Sequence, residues 1–345
     1  MSTCDIIIPV WNLKGITERC IESIIKNTRC QYRLIIIDNG SEAETKQYLE
    51  GLKNDSRIKN YLLIRNEENL GCTKAINQGM RASTEEYMAV LNNDTICCQG
   101  WLFELVGVAE AAPDIGIVNP NSNNLGFNCP KKMSLDKYAL SLMQRYKGKY
   151  IEMATAVGFC SLIKKEVVEK IGVYDEAFGM GYFDDTEYSM RAREFGYKTV
   201  FAKAPYVYHD EHVSFNILGS LEEIFKENRK LFHEKFGVPK RILYILTKEN
   251  KVYFAALEKE TYVLANKFNW IRVFLPHQLQ GLRLAEHTNI AVIFISQFFF
   301  RFHCLFNVLV KKKKYSDIYV DDKKLFKMLQ ALTQFHKAKV TLIKG

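Results

Sequence analysis

The sequence predicts an α/β protein whose central, mostly parallel sheet is flanked by helices and followed by a mainly helical, basic C-terminal extension. Two observations predict this class. In residues 1–120, short β-rich runs alternate with segments of helical apolar spacing, which is typical of βαβ units. Runs such as Ile6-Ile7-Ile8 and 34–37 are continuously apolar. Such runs are expected of parallel strands that helices cover on both faces.

The elements of this first half follow from the same alternation. The predicted strands are Cys4–Val10, 32–38, 61–65, 87–92 and 115–119. The predicted helices lie near 15–27, 42–53, 73–82 and 101–111. In parallel sheets, ligands bind at the carboxyl ends of the strands. Polar side chains follow three of these strands, at 9–12, 38–39 and 92–94, so we expect a binding site at this edge.

The second half of the domain is less regular. Residues 121–149 predict an irregular loop with one helix, and they are followed by a strand at 154–163 and a helix at 165–171. A strand is predicted at 198–202 and a helix at 221–236, with Gly237 and Pro239 as stop signals. We therefore expect a domain at 1–238, with a nucleotide-binding half at 1–120 and an acceptor and catalytic half at 121–238. A helical basic region is expected at 239–345.

Composition narrows the class of protein. The 345 residues are 48% hydrophobic, which supports a large core and excludes a disordered chain. The net charge of +9 is uneven, because residues 240–345 carry 19 basic and 7 acidic side chains, or +12. This asymmetry argues against a nucleic-acid-binding protein and favours an enzyme-like body with a basic attachment. The N-terminus shows no basic segment typical of a secretory signal, and the nine cysteines have irregular spacing. We expect reduced thiols and a cytoplasmic location.

The C-terminal region contains a long apolar run at 290–310, followed by four lysines at 311–314. The few polar residues in the run fall within an arc of about 160° of a helix, so its pattern is amphipathic. Three arrangements fit this pattern: a helix on the membrane surface, a helix packed on the body or on a second copy of the chain, and a membrane span. The lysines suit anionic lipid, although such runs also form ordinary solvated helix ends.

An acidic cluster, Asp184-Asp185-Thr186-Glu187, lies just ahead of a segment with helical spacing. Carboxylates at a helix start are stabilised by the macrodipole and by free backbone N–H groups, so a simple cap explains the cluster taken alone. Acids and a histidine also end other apolar runs, at Asp38, Asp94 and His209. Together they favour one polar site on a sheet edge.

The ordered motifs resemble family 2 glycosyltransferases, which are inverting enzymes of the GT-A fold, and particularly their rhamnosyltransferase-like bacterial members. The similarity covers roughly residues 4–236. Its motifs are, in order, Ile6-Ile7-Ile8-Pro9-Val10-Trp11-Asn12, Ile36-Ile37-Asp38-Asn39-Gly40-Ser41, Asn69-Leu70-Gly71 with Ala75, Asn77 and Gly79, Leu91-Asn92-Asn93-Asp94-Thr95, Gly158 to Ile163, Gly172-Val173-Tyr174-Asp175-Glu176, Asp184-Asp185 with Arg191, and His209.

The resemblance implies transfer of a sugar from a nucleotide-diphosphate sugar, of UDP or dTDP type, to a hydroxyl group. Asp185 would be the general base, while Asp184, Glu187 and Gly158 would contact sugar or acceptor, or Asp184 and Glu187 would orient Asp185 and Arg191. Asp94 and His209 would bind a divalent ion, Mg²⁺ or Mn²⁺. The nucleotide would be held by Pro9, Trp11, Asn12, Asp38, Gly71, Lys74 and Asn93. Asp38 would accept from the imide N–H of the base.

Two features depart from this pattern or leave alternatives open. Asn92 and Asn93 precede Asp94 where the family has a second acid, which suggests weaker metal binding. His209-Asp210-Glu211-His212 also resembles part of a zinc site, although no further ligand pair lies nearby. Besides sugar transfer, the sequence is compatible with a nucleotidyltransferase, for which it lacks a glycine-rich phosphate loop, and with a catalytically silent binding module.

The implied partners follow from the reaction. They are a nucleotide-sugar donor and a glycan acceptor, either a surface polysaccharide or a lipid-linked glycan. The basic C-terminal region adds a membrane surface or a second copy of the chain as a further partner. We expect the protein in the cytoplasm or peripherally on the inner face of the cell membrane, and we expect no nucleic-acid partner.

Overall fold

The computed structural model describes residues 3–210, 221–281 and 283–343. The chain divides into two compact units, Met1–Glu234 and Lys235–Gly345. Glu211 and His212, the last two residues of the zinc-like motif, lie outside the described residues.

The first unit is built on one mixed sheet with strand order β3-β2-β1-β4-β8-β6-β9-β5, and β7 also pairs with β9. The four strands from β3 to β4 are mutually parallel, whereas β8 runs antiparallel to both β4 and β6. The α/β class is confirmed, although the sheet is less parallel than expected. The strands are β1 (Cys4–Val10), β2 (Tyr32–Asn39), β3 (Tyr61–Asn66), β4 (Tyr87–Leu91), β5 (Thr95–Cys97), β6 (Ile115–Asn121), β7 (Tyr150–Met153), β8 (Cys160–Lys164) and β9 (Lys198–His209).

Helices cover both faces of this sheet. Along β1, Ile6 and Ile8 belong to one buried apolar cluster and Ile7 to another, as the alternation of side chains along a strand requires. This arrangement confirms the prediction that the continuous apolar runs are strands covered by helices on both faces. The helices of the unit are α1 (Lys14–Asn27), α2 (Ala43–Gly51), α3 (Cys72–Ala82), α4 (Trp101–Ala109), α5 (Leu135–Tyr146), α6 (Lys165–Ile171), α7 (Asp184–Glu194) and α8 (Leu221–Phe236).

Two predictions for the second half of this unit were wrong in detail. Of the single strand expected at 154–163, only the last part is a strand, β8; residues 154–159 are irregular, and β7 ends just before the expected range. The strand expected at 198–202 continues to His209, because its far end pairs with β5, a three-residue strand that the sequence analysis missed. In this pairing Thr95 lies opposite His209, and the N–H of Asp210 donates to the carbonyl of Asp94 at 2.9 Å. The backbone thus brings Asp94 and His209 together.

The second unit is also an α/β structure, so the prediction of a mainly helical region was wrong. Its five strands are all parallel and have the order β12-β11-β10-β13-β14. The strands are β10 (Arg241–Ile245), β11 (Trp270–Pro276), β12 (Ile290–Ile295), β13 (Asp317–Val320) and β14 (Lys339–Leu342). The helices are α9 (Lys251–Asn266), α10 (Phe300–Val310), α11 (Lys323–Ala331) and α12 (Thr333–His336).

The apolar run at 290–310 explains this error. It is two elements, the strand β12 and the helix α10, joined by a short 3₁₀ turn at Gln297–Phe299. A helical period drawn through both elements mixes side chains that point in unrelated directions. The β-branched, aromatic-rich start of the run favours a strand, and pairing of β12 with β11 fixes it. No helix within the described ranges is long and apolar enough to cross a bilayer.

Candidate active site

Two adjoining clefts lie at the edge of the first unit where the strands end. The first has a cavity volume of about 100 Å³ and the second about 330 Å³. Cys72 and Asn92 line both, so the two spaces are continuous. The first is lined by Pro9, Val10, Trp11, Asn39, Asn69, Cys72, Asn92, Asn93, Asp94 and Met180. The second includes Asn124, Gly158, Phe159, Tyr182, Phe183, Asp184, Asp185, Thr186, His209 and Phe225.

Asp94 and His209 form a pair at the junction of the clefts. Asp94 lines the first cleft and His209 the second, and Asp94 Oδ1 lies 3.0 Å from His209 Nε2. Asp94 Oδ1 is buried, and among the described residues no donor is aligned to give it a hydrogen bond. A buried carboxylate oxygen and an imidazole nitrogen that converge without a hydrogen bond are suited to share a cation. These two side chains therefore fit a divalent ion that takes its remaining ligands from substrate phosphates and water.

The described residues contain no group of three or more acidic, histidine or cysteine side chains that would hold a metal by themselves. The weaker metal binding expected from Asn92 and Asn93 stays a prediction. Asn93 instead donates from Nδ2 to Thr17 Oγ1 at 3.0 Å, which anchors the loop to α1.

His209 is held in place by the loop that follows β6. The Oδ1 of Asn123 accepts from the His209 N–H at 2.9 Å, and its Nδ2 donates to the His209 carbonyl at 2.8 Å. The amide of Asn124 contacts His209 Nδ1, while the ring of Phe159 stacks on the imidazole with centroids 5.4 Å apart. Contacts of this kind orient a metal-binding imidazole and select its tautomer.

Asp185 faces the second cleft from the first turn of α7. Its Oδ1 accepts from the Thr186 N–H at 2.6 Å and from Thr186 Oγ1 at 3.1 Å. Gly158 lies against the other oxygen, since a Cβ at that position would stand 3.2 Å from Asp185 Oδ2. Burial, together with the neighbouring charge of Asp184, raises the pKa of Asp185 to about 7.

The backbone just before α7 is strained. Tyr182 and Phe183 have φ values of 67° and 68°, in the left-handed region that non-glycine residues rarely adopt. Asn228 of α8 stabilises this turn, because its Nδ2 lies 2.8 Å from the Phe178 carbonyl and 2.7 Å from that of Gly181. The turn leads directly into Asp184 and Asp185, which both line the second cleft.

The other acids of the cluster differ in their surroundings. Asp184 lines the second cleft, where burial raises its pKa and Thr73 Oγ1 donates to it at 3.3 Å. Glu187 does not line either cleft; it pairs with Arg191 at 3.0 Å. Arg191 in turn donates to the Val173 carbonyl at 2.9 Å and packs on the Tyr188 ring. Of the two roles expected for Glu187, this geometry supports orientation of Arg191.

On the nucleotide side, Pro9, Trp11 and Asn93 line the first cleft, but Asn12 and Asp38 do not. Asn12 joins two loops, since its Oδ1 accepts from the Glu42 N–H at 2.8 Å. The Asp38 side chain is fully buried, and it accepts from the Ser41 N–H at 2.9 Å and from the Arg65 guanidinium. Arg65 occupies the position beside Asp38 in the register of β2 and β3. A nucleobase role for Asp38 stays a prediction.

Gly71 and Lys74 flank the start of α3. Gly71 has φ of 91°, and a Cβ there would lie 2.8 Å from the Gly179 carbonyl oxygen, so only glycine allows this close approach. Lys74 is exposed and does not line either cleft. Its phosphate role also stays a prediction.

Several residues that shape the site were not predicted from the sequence. Asn123 and Asn124 lie in the segment predicted as an irregular loop, at 121–149, but nothing in the sequence singles out their contacts with His209. Arg65 ends a predicted strand, and parallel pairing with β2 would have indicated that it meets Asp38. The strained turn at Tyr182 and Phe183 has no sequence signal, because both residue types normally avoid positive φ.

The strand ends of a mixed sheet thus surround two continuous clefts that hold an aspartate–histidine pair and a partly buried carboxylate, an arrangement that fits a transferase. The family model for glycosyl transferase family 2 matches residues 5–172. The chain therefore carries a family 2 glycosyltransferase domain, as the motifs predicted.

Individual relatives are distant. An uncharacterized glycosyltransferase of Haemophilus influenzae is 31% identical over 107 residues, which are 31% of this chain and 32% of that protein. This chain thus matches only about a third of that relative's length. TarS 1–349 of S. aureus in complex with UDP-GlcNAc has a TM-score of 0.51 at 14% identity, over 68% of this chain and 66% of that one. A Pyrobaculum calidifontis mannosyltransferase in complex with GDP-Man and Mn²⁺ has a TM-score of 0.50 at 16% identity, over 66% and 64%. These structures share the GT-A fold.

Proposed function

We propose that the first unit transfers a sugar, with inversion, from a UDP or dTDP sugar to a hydroxyl of a surface polysaccharide or lipid-linked glycan. One observation carries this proposal: the Asp185 carboxylate and the Asp94–His209 pair face two continuous clefts. Inverting displacement needs a proton acceptor on one side of the sugar and charge stabilisation of the leaving diphosphate on the other. The two clefts supply one group for each task.

The first cleft suits the nucleotide. Pro9 and Trp11 offer an apolar edge for a planar base, while Asn39, Asn69 and Asn93 offer amide groups to ribose and phosphate. The structures of TarS with UDP-GlcNAc and of the mannosyltransferase with GDP-Man share this fold, which supports a nucleotide-sugar donor.

A divalent ion, Mg²⁺ or Mn²⁺, bound by Asp94 and His209 would neutralise charge that develops on the departing diphosphate. Asn123, Asn124 and Phe159 keep His209 oriented toward Asp94. The mannosyltransferase structure contains Mn²⁺, which supports this choice of cofactor.

Asp185 is the proposed general base. A carboxyl whose pKa stands near 7 accepts a proton effectively at neutral pH. In the proposed step, Asp185 takes the proton of the acceptor hydroxyl while that oxygen forms a bond to the anomeric carbon. The bond from the anomeric carbon to the diphosphate oxygen breaks on the opposite face, and its electron pair leaves with the nucleoside diphosphate.

The second cleft suits a saccharide acceptor. Three aromatic side chains, Tyr182, Phe183 and Phe225, line it beside the two carboxylates. Flat aromatic faces pack on the C–H faces of sugar rings, while Asp184 accepts hydrogen bonds from their hydroxyls. We place this reaction in the cytoplasm, where nucleotide sugars are made.

The test is a screen of UDP and dTDP sugars for Mn²⁺-dependent release of nucleoside diphosphate, combined with calorimetric titration of UDP and dTDP with and without Mn²⁺. We expect either the UDP sugars or the dTDP sugars to release nucleoside diphosphate. We expect Asp94→Asn to weaken Mn²⁺-dependent nucleotide binding by at least about tenfold, since ligand substitutions at metal sites have effects of this size or larger. Asp136→Asn, which changes an exposed carboxylate of α5, is the matched control.

Other outcomes separate the alternatives. Pyrophosphate release from a nucleoside triphosphate would replace the proposal with a nucleotidyltransferase. Nucleotide-sugar binding without turnover across the donor panel would leave a binding module.

A further inference from the structure

The helix α10 of the second unit has two apolar faces, and only one of them is used by the core. Phe300, Cys304 and Val308 follow a four-residue spacing and are buried in an apolar cluster of that unit. A helix on the surface of a domain needs one such face. The second face therefore calls for its own explanation.

The second face consists of Phe298, Phe299, Phe302, Phe306 and Val310, and we call it the aromatic face. These side chains are 96%, 69%, 68%, 56% and 56% exposed, respectively. At about 100° per residue, the members within α10 span an arc of about 80°, on the side of the helix opposite the buried residues. Phe302 and Phe306 stack on each other with centroids 6.2 Å apart. Contiguous exposed aromatic groups of this kind mark a binding surface.

A cluster of exposed lysines, Lys312, Lys313 and Lys314, follows the aromatic face directly. Lys314 Nζ donates to the Leu309 carbonyl at 2.6 Å, so its charge lies beside the last turn of α10. Lys311 is different, because it sits over the Tyr315 ring and bonds to its hydroxyl at 3.0 Å. The three exposed lysines extend the aromatic face with positive charge.

We propose that the aromatic face and the lysine cluster together form a docking surface for an anionic lipid bilayer. Phenylalanine rings would enter the boundary between headgroups and acyl chains, while the lysines would remain among anionic headgroups. The charge of the region agrees with this partner, since residues 240–345 carry 19 basic and 7 acidic side chains. A protein partner of similar area would need charge complementary to the lysines around the same apolar face. An anionic bilayer offers an apolar interior and negatively charged headgroups over any area.

The inference does not depend on sugar transfer, and it differs from the arrangement predicted from the sequence. The surface is one short helix and the turn before it, rather than a 21-residue amphipathic helix. A surface of this size gives reversible attachment that responds to salt.

The test measures co-sedimentation of the full chain with vesicles of phosphatidylcholine alone and of phosphatidylcholine mixed with phosphatidylglycerol. We expect binding to the anionic vesicles and weaker binding as salt is raised. The triple variant Phe298→Ser, Phe302→Ser, Phe306→Ser should bind on the order of 100-fold more weakly, because it removes most of the apolar area that enters the bilayer.

Charge is tested separately with Lys312→Gln, Lys313→Gln, Lys314→Gln. Each lysine near an anionic surface contributes roughly a fivefold gain in partition, so this variant should lose on the order of 100-fold. The matched control replaces three exposed apolar residues elsewhere in the unit, Val252→Ser, Val263→Ser and Phe335→Ser, and should bind like the unmodified chain. Circular dichroism verifies that every variant is folded.

The proposal is overturned if the unmodified chain does not bind anionic vesicles. It is also overturned if the triple phenylalanine variant binds them as well as the control variant does. Light scattering distinguishes membrane binding from association between two copies of the chain. A dimer that dissociates in the aromatic variant, with vesicle binding unchanged, would assign the aromatic face to a second copy of the chain.

Discussion

Replacing Asp185 with asparagine tests the central electrostatic feature of the site, because it removes a carboxylate whose ionisation the fold opposes. Burial and the charge of Asp184 raise its pKa from the ordinary 3.8 to about 7. The folded state thus retains a proton that the unfolded chain has released between these two values. Stability is therefore lost as pH rises through this interval, and the Asp185→Asn variant escapes that loss.

The magnitude follows from the shift. A pKa raised from 3.8 to about 7 lowers the free energy of unfolding by about 4 kcal/mol once the pH is above neutral. Asp185 lines an open cleft and titrates together with Asp184, so we expect about half of this, or about 2 kcal/mol. The assay is urea unfolding of both proteins at about pH 4.5 and about pH 8, with the difference in unfolding free energy compared between the two values.

The comparison between the two pH values isolates the contribution that ionisation of the Asp185 carboxylate makes to stability. Asparagine also places an N–H group against either Thr186 or Gly158, but that cost is the same at both pH values. Asp5→Asn is the control, since burial alone would raise the Asp5 pKa but hydrogen bonds from Arg33, Ser83 and backbone N–H groups lower it overall. The lowered Asp5 pKa makes stability depend on pH only below pH 3.8. The Asp5→Asn variant should therefore be less stable than the unmodified protein by about 3 kcal/mol at both pH values.

Activity supplies the second readout for Asp185. We expect Asp185→Asn to lower turnover by at least about 100-fold with donor binding unchanged, as for loss of a general base. A stability difference that is equal at both pH values would refute the raised pKa. Turnover close to that of the unmodified protein would refute the assignment of the base.

Two further predictions concern the backbone around the site. Gly71→Ala should destabilise the first unit by about 2 kcal/mol or more, because its Cβ would meet the Gly179 carbonyl at 2.8 Å. Gly126→Ala, with φ of 85° but open space, is the control for backbone strain alone, and equal melting temperatures for both variants would contradict the close approach. Asn228→Ala should cost about 1–3 kcal/mol and also lower turnover, since it frees the carbonyls that fix the turn before α7. Unchanged stability and turnover would exclude this bracing role.

Local patterns predicted most of the first unit. The first strand was predicted at Cys4–Val10 and α8 at 221–236, and both have these bounds in the structure. In these segments periodicity, apolar runs and stop signals agree, so local preference and tertiary packing favour the same element. The ends of these strands also indicated where the site would lie.

The second unit was mispredicted because its strands are short and several of them are only partly buried. A segment of four to seven residues does not by itself distinguish a strand from part of a helix. The strands β10 to β14 are fixed by pairing with neighbours that lie far apart in the chain, and a single segment does not contain that information.

The sequence by itself determined the α/β class, the family of the first unit and the inventory of reactive groups, including Asp94, Asp185 and His209. These properties are local, because they depend on residue type, spacing and order along the chain. Only the tertiary structure decided that the buried Asp38 is paired with Arg65 and that Asn124 touches His209. It also decided that α10 has one buried and one exposed apolar face. The physical reason is that strand register and packing select which surfaces are covered, and both depend on contacts between residues distant in sequence.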